Sequence, residues 1–224
     1  MKKKTLFLTK QHLSIALIWL FHVSGILGII YGNATWFVKA TPINLLLSFF
    51  LLMLNTDLNL KALFMVVLCF SVGMIAEILG VKYGLLFGSY SYGSTLGFKF
   101  IGVPIMMGFL WCIQVFITGF IAQFFTKKLL FKILIGVGLM LFLDLVIEPV
   151  APIMDFWTFE SGVAGLNNYM GWTFVATPLQ LIYHKMKIKI KGPFPFHLFL
   201  LQVLFFTLLL IKLYTPLITI NKSF

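Results

Sequence analysis

The sequence predicts an all-α polytopic transmembrane helical bundle of about seven spans, and three observations predict it. Of 224 residues, 61% are hydrophobic and only 10% charged, against roughly a quarter charged in a soluble domain. The mean hydropathy is +1.05. Apolar runs recur along the whole chain, and each bilayer crossing takes about 20 such residues. Residues 1–224 therefore read as a single integral membrane domain, with no room for a folded part outside the membrane.

The elements follow from the apolar runs and the polar breaks between them. The first span is expected from about His12 to Tyr31, and a short second one over about Ile43 to Leu54. The third covers about Leu60 to Gly80, and a Gly/Tyr/Ser-rich loop follows to about Phe100. The fourth runs from about Gly102 to Phe125 and the fifth from about Leu129 to Glu148. A second polar loop extends to about Gly171, before a short sixth span over about Trp172 to Tyr183. The last covers about Phe194 to Leu213. The second and sixth fall below normal spanning length, so tilt, partial re-entry or shielding by neighbours is expected of them. Lys2, Lys3 and Lys4 before an apolar run resemble the start of a signal peptide. No small-residue cleavage site follows and more spans come after, so the first helix is expected to be retained.

All 17 basic residues are lysine, and the formal charge is +11. The lysines sit in short loops between apolar runs, which excludes a nucleic-acid-binding face and reads instead as topology signalling and contact with anionic lipid. With seven spans and a cytoplasmic N-terminus, the inner side holds twelve: Lys2, Lys3, Lys4, Lys10, Lys61, Lys127, Lys128, Lys132, Lys185, Lys187, Lys189 and Lys191. The outer side and its helix ends hold five: Lys39, Lys82, Lys99, Lys212 and Lys222. This is the direction of the positive-inside rule. Both Gly/aromatic loops then fall outside, where they can face each other. Cys69 and Cys112 lie far apart in apolar runs and read as packing residues.

Six acids occur: Asp57, Glu77, Asp144, Glu148, Asp155 and Glu160. Asp57 falls in a lysine-side turn and is expected to be solvated. Glu77, Asp144 and Glu148 sit at or within the outer ends of apolar helices. A carboxylate in hydrocarbon is costly, so such a residue is a candidate functional group; the plain alternative is a structural acid paired with Lys82 or a polar neighbour. Asp144 and Glu148 are four apart and share one helix face, where like charges repel. Pro149 disfavours α geometry at Glu148 and tends to end the helix there. Glu148 then meets the negative end of the helix dipole, which disfavours its anion. Glu77 is expected in the last turn of its helix, before Gly80, under the same bias. The three acids thus stand where a proton can be held near neutral pH, as a general acid requires.

Aromatic residues surround them. The first loop reads Gly84-Leu85-Leu86-Phe87-Gly88-Ser89-Tyr90-Ser91-Tyr92-Gly93; the second contains Phe156-Trp157 and Asn167-Asn168-Tyr169-Met170-Gly171-Trp172. These fit an interfacial aromatic belt, or a lipid pocket whose rings face a cationic intermediate, where a desolvated cation–π contact is worth about 2 kcal/mol. Asn167 and Asn168 suit either the orientation of a water or a turn. The sequence has no CxxC, HExxH, phosphate-cradling glycine loop or Asp-rich magnesium motif. His12, His22, His184 and His197 are scattered, unlike the clustered histidines of a membrane di-iron oxygenase.

At these residues the chain resembles the membrane carotenoid 1,2-hydratases, a family that includes the bisanhydrobacterioruberin hydratases. The resemblance lies in Ala76-Glu77-Ile78-Leu79-Gly80, Gly84, Phe87-Gly88-Ser89-Tyr90, Tyr92, Gly102-Val103-Pro104 and Trp111. It continues in Asp144-Leu145-Val146-Ile147-Glu148-Pro149, Trp157 and Asn168-Tyr169-Met170-Gly171-Trp172. These parts run from the third span to the start of the sixth; the N-terminal third and the last span match only in hydrophobicity. The chain departs from the family at Met170, where a proline commonly stands between Tyr and Gly-Trp.

The resemblance implies a hydro-lyase that adds water across the terminal C1–C2 double bond of an acyclic carotenoid end group, such as those of lycopene and γ-carotene. Protonation of this alkene gives a tertiary carbocation, which water captures; that chemistry calls for no cofactor and no metal. Glu148, Asp144 and Glu77 are the expected catalytic residues. Tyr90, Tyr92, Trp111, Trp157, Asn168, Tyr169 and Trp172 are the expected substrate contacts. The expected partners are a membrane-dissolved carotenoid, water and the lipid bilayer, with no nucleic acid. A carotenoid cyclase-like isomerase would make the same cation and let an internal alkene capture it. A proton-coupled transporter would use the three acids as a relay, against which the chain shows no repeated halves. A non-catalytic scaffold would leave the acids unexplained.

Overall fold

The computed structural model describes residues 10–214; the expectations that rest on Lys2, Lys3, Lys4 and Lys222 lie outside the described residues. The described chain forms helices α1 (Lys10–Tyr31), α2 (Ala34–Lys39), α3 (Thr41–Asn55), α4 (Leu60–Tyr83), α5 (Met106–Phe125), α6 (Leu129–Ile147), α7 (Leu166–Met186) and α8 (Phe194–Tyr214). Four short strands lie in the loops: β1 (Tyr90–Tyr92), β2 (Lys99–Phe100), β3 (Val103–Pro104) and β4 (Trp157–Phe159). The architecture is a helical bundle, with α5 as its central post. Of the span in α5, 72% is buried inside the protein, against 28–39% in α1, α4, α6 and α8. Those four therefore turn most of their surface outward, as helices that face lipid do.

α1, α4, α5, α6 and α8 are long and apolar enough to cross a membrane. α3 has 15 residues and reaches about 22 Å, short of the ~30 Å hydrocarbon core. α7 has 21 residues but dilutes its apolar ones with Asn167, Asn168, Gln180 and His184. Seven helices thus run between the two ends of the bundle, and five of them have the length and apolarity of a span.

The ends of the bundle are tied differently. At one end the α3–α4 turn meets the α7–α8 connection: the Asp57 amide donates to the Lys189 carbonyl at 2.9 Å and the Lys191 amide to the Asn55 carbonyl at 2.8 Å. Gln11, at the start of α1, donates to the Lys191 carbonyl from the same end. At the other end β1 pairs antiparallel with β4, Tyr90 opposite Phe159 and Tyr92 opposite Trp157. The two Gly/aromatic loops expected to face each other are therefore joined backbone to backbone. Asp155 completes the seam: its Oδ2 accepts from the Ser94 amide at 2.7 Å and the Ser94 hydroxyl at 2.8 Å. The Ser94 donors hold the Asp155 carboxyl below the usual range.

Several boundaries differ from expectation. α4 continues through Gly80 to Tyr83 and is stopped by Gly84, whose φ of +65° makes the left-handed turn that ends many helices. α5 begins at Met106 because residues 99–104 are taken up by β2 and β3. α3 begins at Thr41, where Pro42 sits in the first turn and its missing N–H costs no helix bond. α2 was not legible in the apolar pattern. The largest shift is in the second loop, which ends at Gly165 and not at Gly171. α7 therefore contains the whole Asn167–Trp172 stretch, held in helix by packing against α4, α5 and α6.

Candidate active site

Glu77 is the best-partnered of the buried acids. The continuation of α4 places it nearly two turns inside the helix, 3% exposed, and not in the last turn. Tyr90 and Tyr92 stand two apart on β1, so both side chains face the same way. Both phenols donate to Glu77 Oε2, at 2.5 and 2.7 Å. From α5, Trp111 Nε1 donates to Glu77 Oε1 at 2.9 Å. Three donors and no cation meet this group, a set that matches an acceptor-only carboxylate. Lys82, the partner a purely structural acid was expected to have, instead stands over the Tyr83 ring. Gly80 is what lets β1 sit down on α4: a Cβ there would lie 2.8 Å from Tyr90 Oη and 2.9 Å from a Phe87 ring carbon. Burial, and then the Glu77 carboxyl beside them, push the Tyr90 and Tyr92 phenols up, so they donate protons in hydrogen bonds and do not ionise.

Asp144 and Glu148 approach from α6. Asp144 is buried, and its Oδ2 accepts from Asn168 Nδ2 on α7 at 2.7 Å. The α7 start at Leu166 decides this contact, because it turns Asn168 into a helix residue aimed at α6. α6 ends at Ile147, and Glu148 caps it with its amide bonded to the Asp144 carbonyl at 2.9 Å. Glu148 keeps helical angles, φ −48° and ψ −48°, despite the proline that follows. Its carboxyl has one long bond, from Trp157 Nε1 at 3.3 Å. One residue past the span, it is half-buried, and burial lifts it to about 7.

These groups share one small cavity of about 20 Å³. Glu77, Asp144, Glu148, Asn168, Tyr90 and Tyr92 supply its polar wall, and Phe87, Met107, Trp157, Phe159 and Trp172 its apolar wall. A void needs about 10–15 Å³ to hold one water, together with two to four polar partners; both conditions are met here. The rings are held in register by their own contacts. Trp111 stacks on Trp172 with centroids 4.3 Å apart, and Tyr90 lies 5.3 Å from Phe159.

Behind Met107 and Trp157, which line both spaces, opens a second cavity of about 440 Å³. α1, α2, α3 and α8 wall it with Phe21, Trp36, Phe37, Leu45, Phe205 and Phe206, and Ile147 and Phe156 close its inner end. His22, Ser24, Thr41, Asn44, Ser48 and Gln202 are the polar side chains on its lining.

The structure thus brings together Glu77, Asp144, Glu148, Tyr90, Tyr92, Trp157, Asn168 and Trp172 around one cavity, with Trp111 one bond behind Glu77. Tyr169, half-buried, lines neither cavity. Met107, Phe159 and the whole wall of the larger cavity were not singled out from the sequence. A signal was present for part of it: Asn44, Ser48 and Gln202 are polar residues inside apolar helices.

A membrane-embedded helical bundle with buried acids beside an apolar cavity is the class these features define. The chain belongs to the carotenoid biosynthesis protein family, whose model matches residues 40–220. Its role is accordingly in carotenoid biosynthesis. The match takes in the last span and the region from α3 onward, well beyond the stretch in which motifs were legible. No curated protein and no solved structure matches the chain.

Proposed function

We propose that this protein is a hydro-lyase that adds water to the terminal C1–C2 double bond of an acyclic carotenoid. The observation that carries the proposal is that the two cavities adjoin: a water-sized space with three carboxyl groups shares its Met107 and Trp157 wall with an apolar space large enough for an isoprenoid chain.

Glu148 is the proton donor. It has the weakest hydrogen bonding of the three acids, and its carboxyl retains a proton up to about 7. The alkene π pair takes that proton at C2, and C1 becomes a tertiary cation. Water in the small cavity gives a lone pair to C1, forming the C–O bond, and its surplus proton passes to the Asp144 or Glu148 carboxylate. The net change is alkene plus water to tertiary alcohol, with no electron transferred. Glu77, held by three donors, supplies a fixed counter-charge, and the rings of Tyr90, Tyr92, Trp157 and Trp172 shield the cation from other nucleophiles. Asn168 fixes Asp144.

Expression in a lycopene-producing host grown in oxygen-labelled water tests this. A pigment heavier by one water per reacted end, carrying the label, supports hydration. An isomer of unchanged mass without label would instead assign the cation's capture to an internal alkene, as in a cyclase.

The lysine asymmetry supports an N-terminus in the cytoplasm, with the loops around Ser89 and Gly165 outside. Single cysteines placed at these two positions should react with an impermeant thiol reagent from the outer side. Reaction only from the cytoplasmic side would reverse the orientation and leave the chemistry unaffected.

A further inference from the structure

The larger cavity has a shape that the reaction does not by itself require. It is apolar, it shares Met107 and Trp157 with the cavity that holds the acids, and its mouth is built from residues that face outward: Leu20 is 60% exposed, Trp36 62% and Ile43 63%. These lie on α1, α2 and α3, so the opening is on the flank of the bundle and not at a polar end. Its size is also informative. A cavity of about 150 Å³ holds one benzene ring, so 440 Å³ holds roughly three six-carbon units, or about 18 carbons. That is about half of a carotenoid backbone.

We infer that this cavity takes one half of an acyclic carotenoid sideways from the bilayer, through the mouth between α1 and α3, and delivers its end past Met107 and Trp157. The other half stays in lipid. The inference rests on the carotenoid reading above and adds the route, the binding site and a consequence for the reaction course. Because the two ends of the chain cannot occupy the cavity together, each is processed in a separate binding event, and the once-hydrated species leaves before the second end enters. The α2 helix roofs the mouth. Its Phe37 ring packs so closely on Gly28 that a Cβ there would lie 2.2 Å from the ring. Ser48 lies on the cavity wall, 2% exposed, from α3.

The test uses the full chain purified from a lycopene-producing host, with lycopene as the probe. Two quantities are read: pigment retained per protein, and water gained by the pigment. Ser48→Phe fills the cavity and should lower retained pigment roughly tenfold or more, the effect of forcing a ring into occupied space. Leu134→Phe on the outward face of α6, 56% exposed, should retain pigment as the wild type does. Early samples should hold more singly than doubly hydrated product.

Should Ser48→Phe fail to fold, Ile43→Cys at the mouth replaces it. Cys69 and Cys112 are buried while Ile43 is 63% exposed, so the new thiol is the one that reacts with a maleimide, and bound lycopene should slow that reaction. Equal labelling with and without lycopene would overturn the inference, as would Ser48→Phe with wild-type pigment and turnover. If the wild type holds pigment that Ser48→Phe loses, yet no pigment gains water, the cavity assignment stands and the hydratase reading falls.

Discussion

The two ends of the bundle treat charge in opposite ways. At one end Lys61, Lys127, Lys128, Lys185, Lys187, Lys189 and Lys191 are all exposed, and the acid there, Asp57, pairs with Lys191 at 3.3 Å in solvent. Along residues 187–191 the lysines alternate with buried Ile188 and Ile190, so the chain keeps every charge in water. At the other end three carboxyl groups are drawn inward, and what answers them is phenol, indole and amide, with no lysine among the cavity's lining residues. A cation would neutralise these acids for good. Neutral donors hold them in place and leave their charge and protons available to a substrate. In the proposed reading the lysine end serves as a topology signal and the acid end as a reaction site.

Removing the acids should break this contrast most sharply. Glu148→Gln keeps the shape of the side chain and removes its exchangeable proton, and a positioned general acid is worth typically 10²–10⁴-fold in rate. Hydrated product should fall by that order, while membrane insertion and pigment binding persist. Asp144→Asn and Glu77→Gln should also lower turnover. If all three variants kept wild-type turnover at equal expression, the carboxyl mechanism would have to be abandoned.

The next effect is one of pH. The donor must carry its proton, and burial sets Glu148 at about 7, so activity should be full below that point and decline above it, by about tenfold for each further pH unit. Turnover measured in proteoliposomes across this range checks the sign. A rate that rises with pH would assign Glu148 to the base and not to the acid.

A smaller effect separates hydrogen bonding from stacking. Trp111→Phe keeps an aromatic ring facing Trp172 but deletes the donor to Glu77 Oε1. Loss of a hydrogen bond to a charged group costs about 1.5–3 kcal/mol. Unfolding in detergent should show that loss, and turnover should drop with it. Smallest of all is Asp57→Asn at the lysine end. An exposed pair is worth about 0–1 kcal/mol, so both stability and product yield should match the wild type within error. A large loss there would mean that the lysine end takes part in more than orientation.

Much of the acid end was legible from residue types and spacing. Glu77, Asp144 and Glu148 stood out because carboxylates are rare in apolar runs. The Tyr90/Tyr92 pair and Trp157 stood out because they flank those acids in the chain. Other features were not legible for definite reasons. A helix start inside Asn167–Trp172 has no local signal, since Gly165 makes no side-chain cap and asparagines favour turns; packing against α6 overrides that preference. The larger cavity is walled mainly by phenylalanines and leucines from α1, α3 and α8, and apart from the polar Asn44, Ser48 and Gln202 nothing in those apolar helices marks which residue faces a void and which faces lipid.

The sequence by itself determined that the chain enters a membrane as helices, which end collects the lysines, and which acids cannot be solvated. These are consequences of transfer free energy, which each residue carries with it wherever it is placed. Tertiary structure alone decided that Tyr90, Tyr92 and Trp111 converge on Glu77, that Asn168 meets Asp144, and that Met107 and Trp157 stand between a water-sized space and an apolar one. Hydrogen bonds and cavities depend on positions to within a few tenths of an ångström. Those positions are set by how α4, α5, α6 and α7 pack together and how β1 and β4 pair across two loops, relations between segments that no single stretch of the sequence contains.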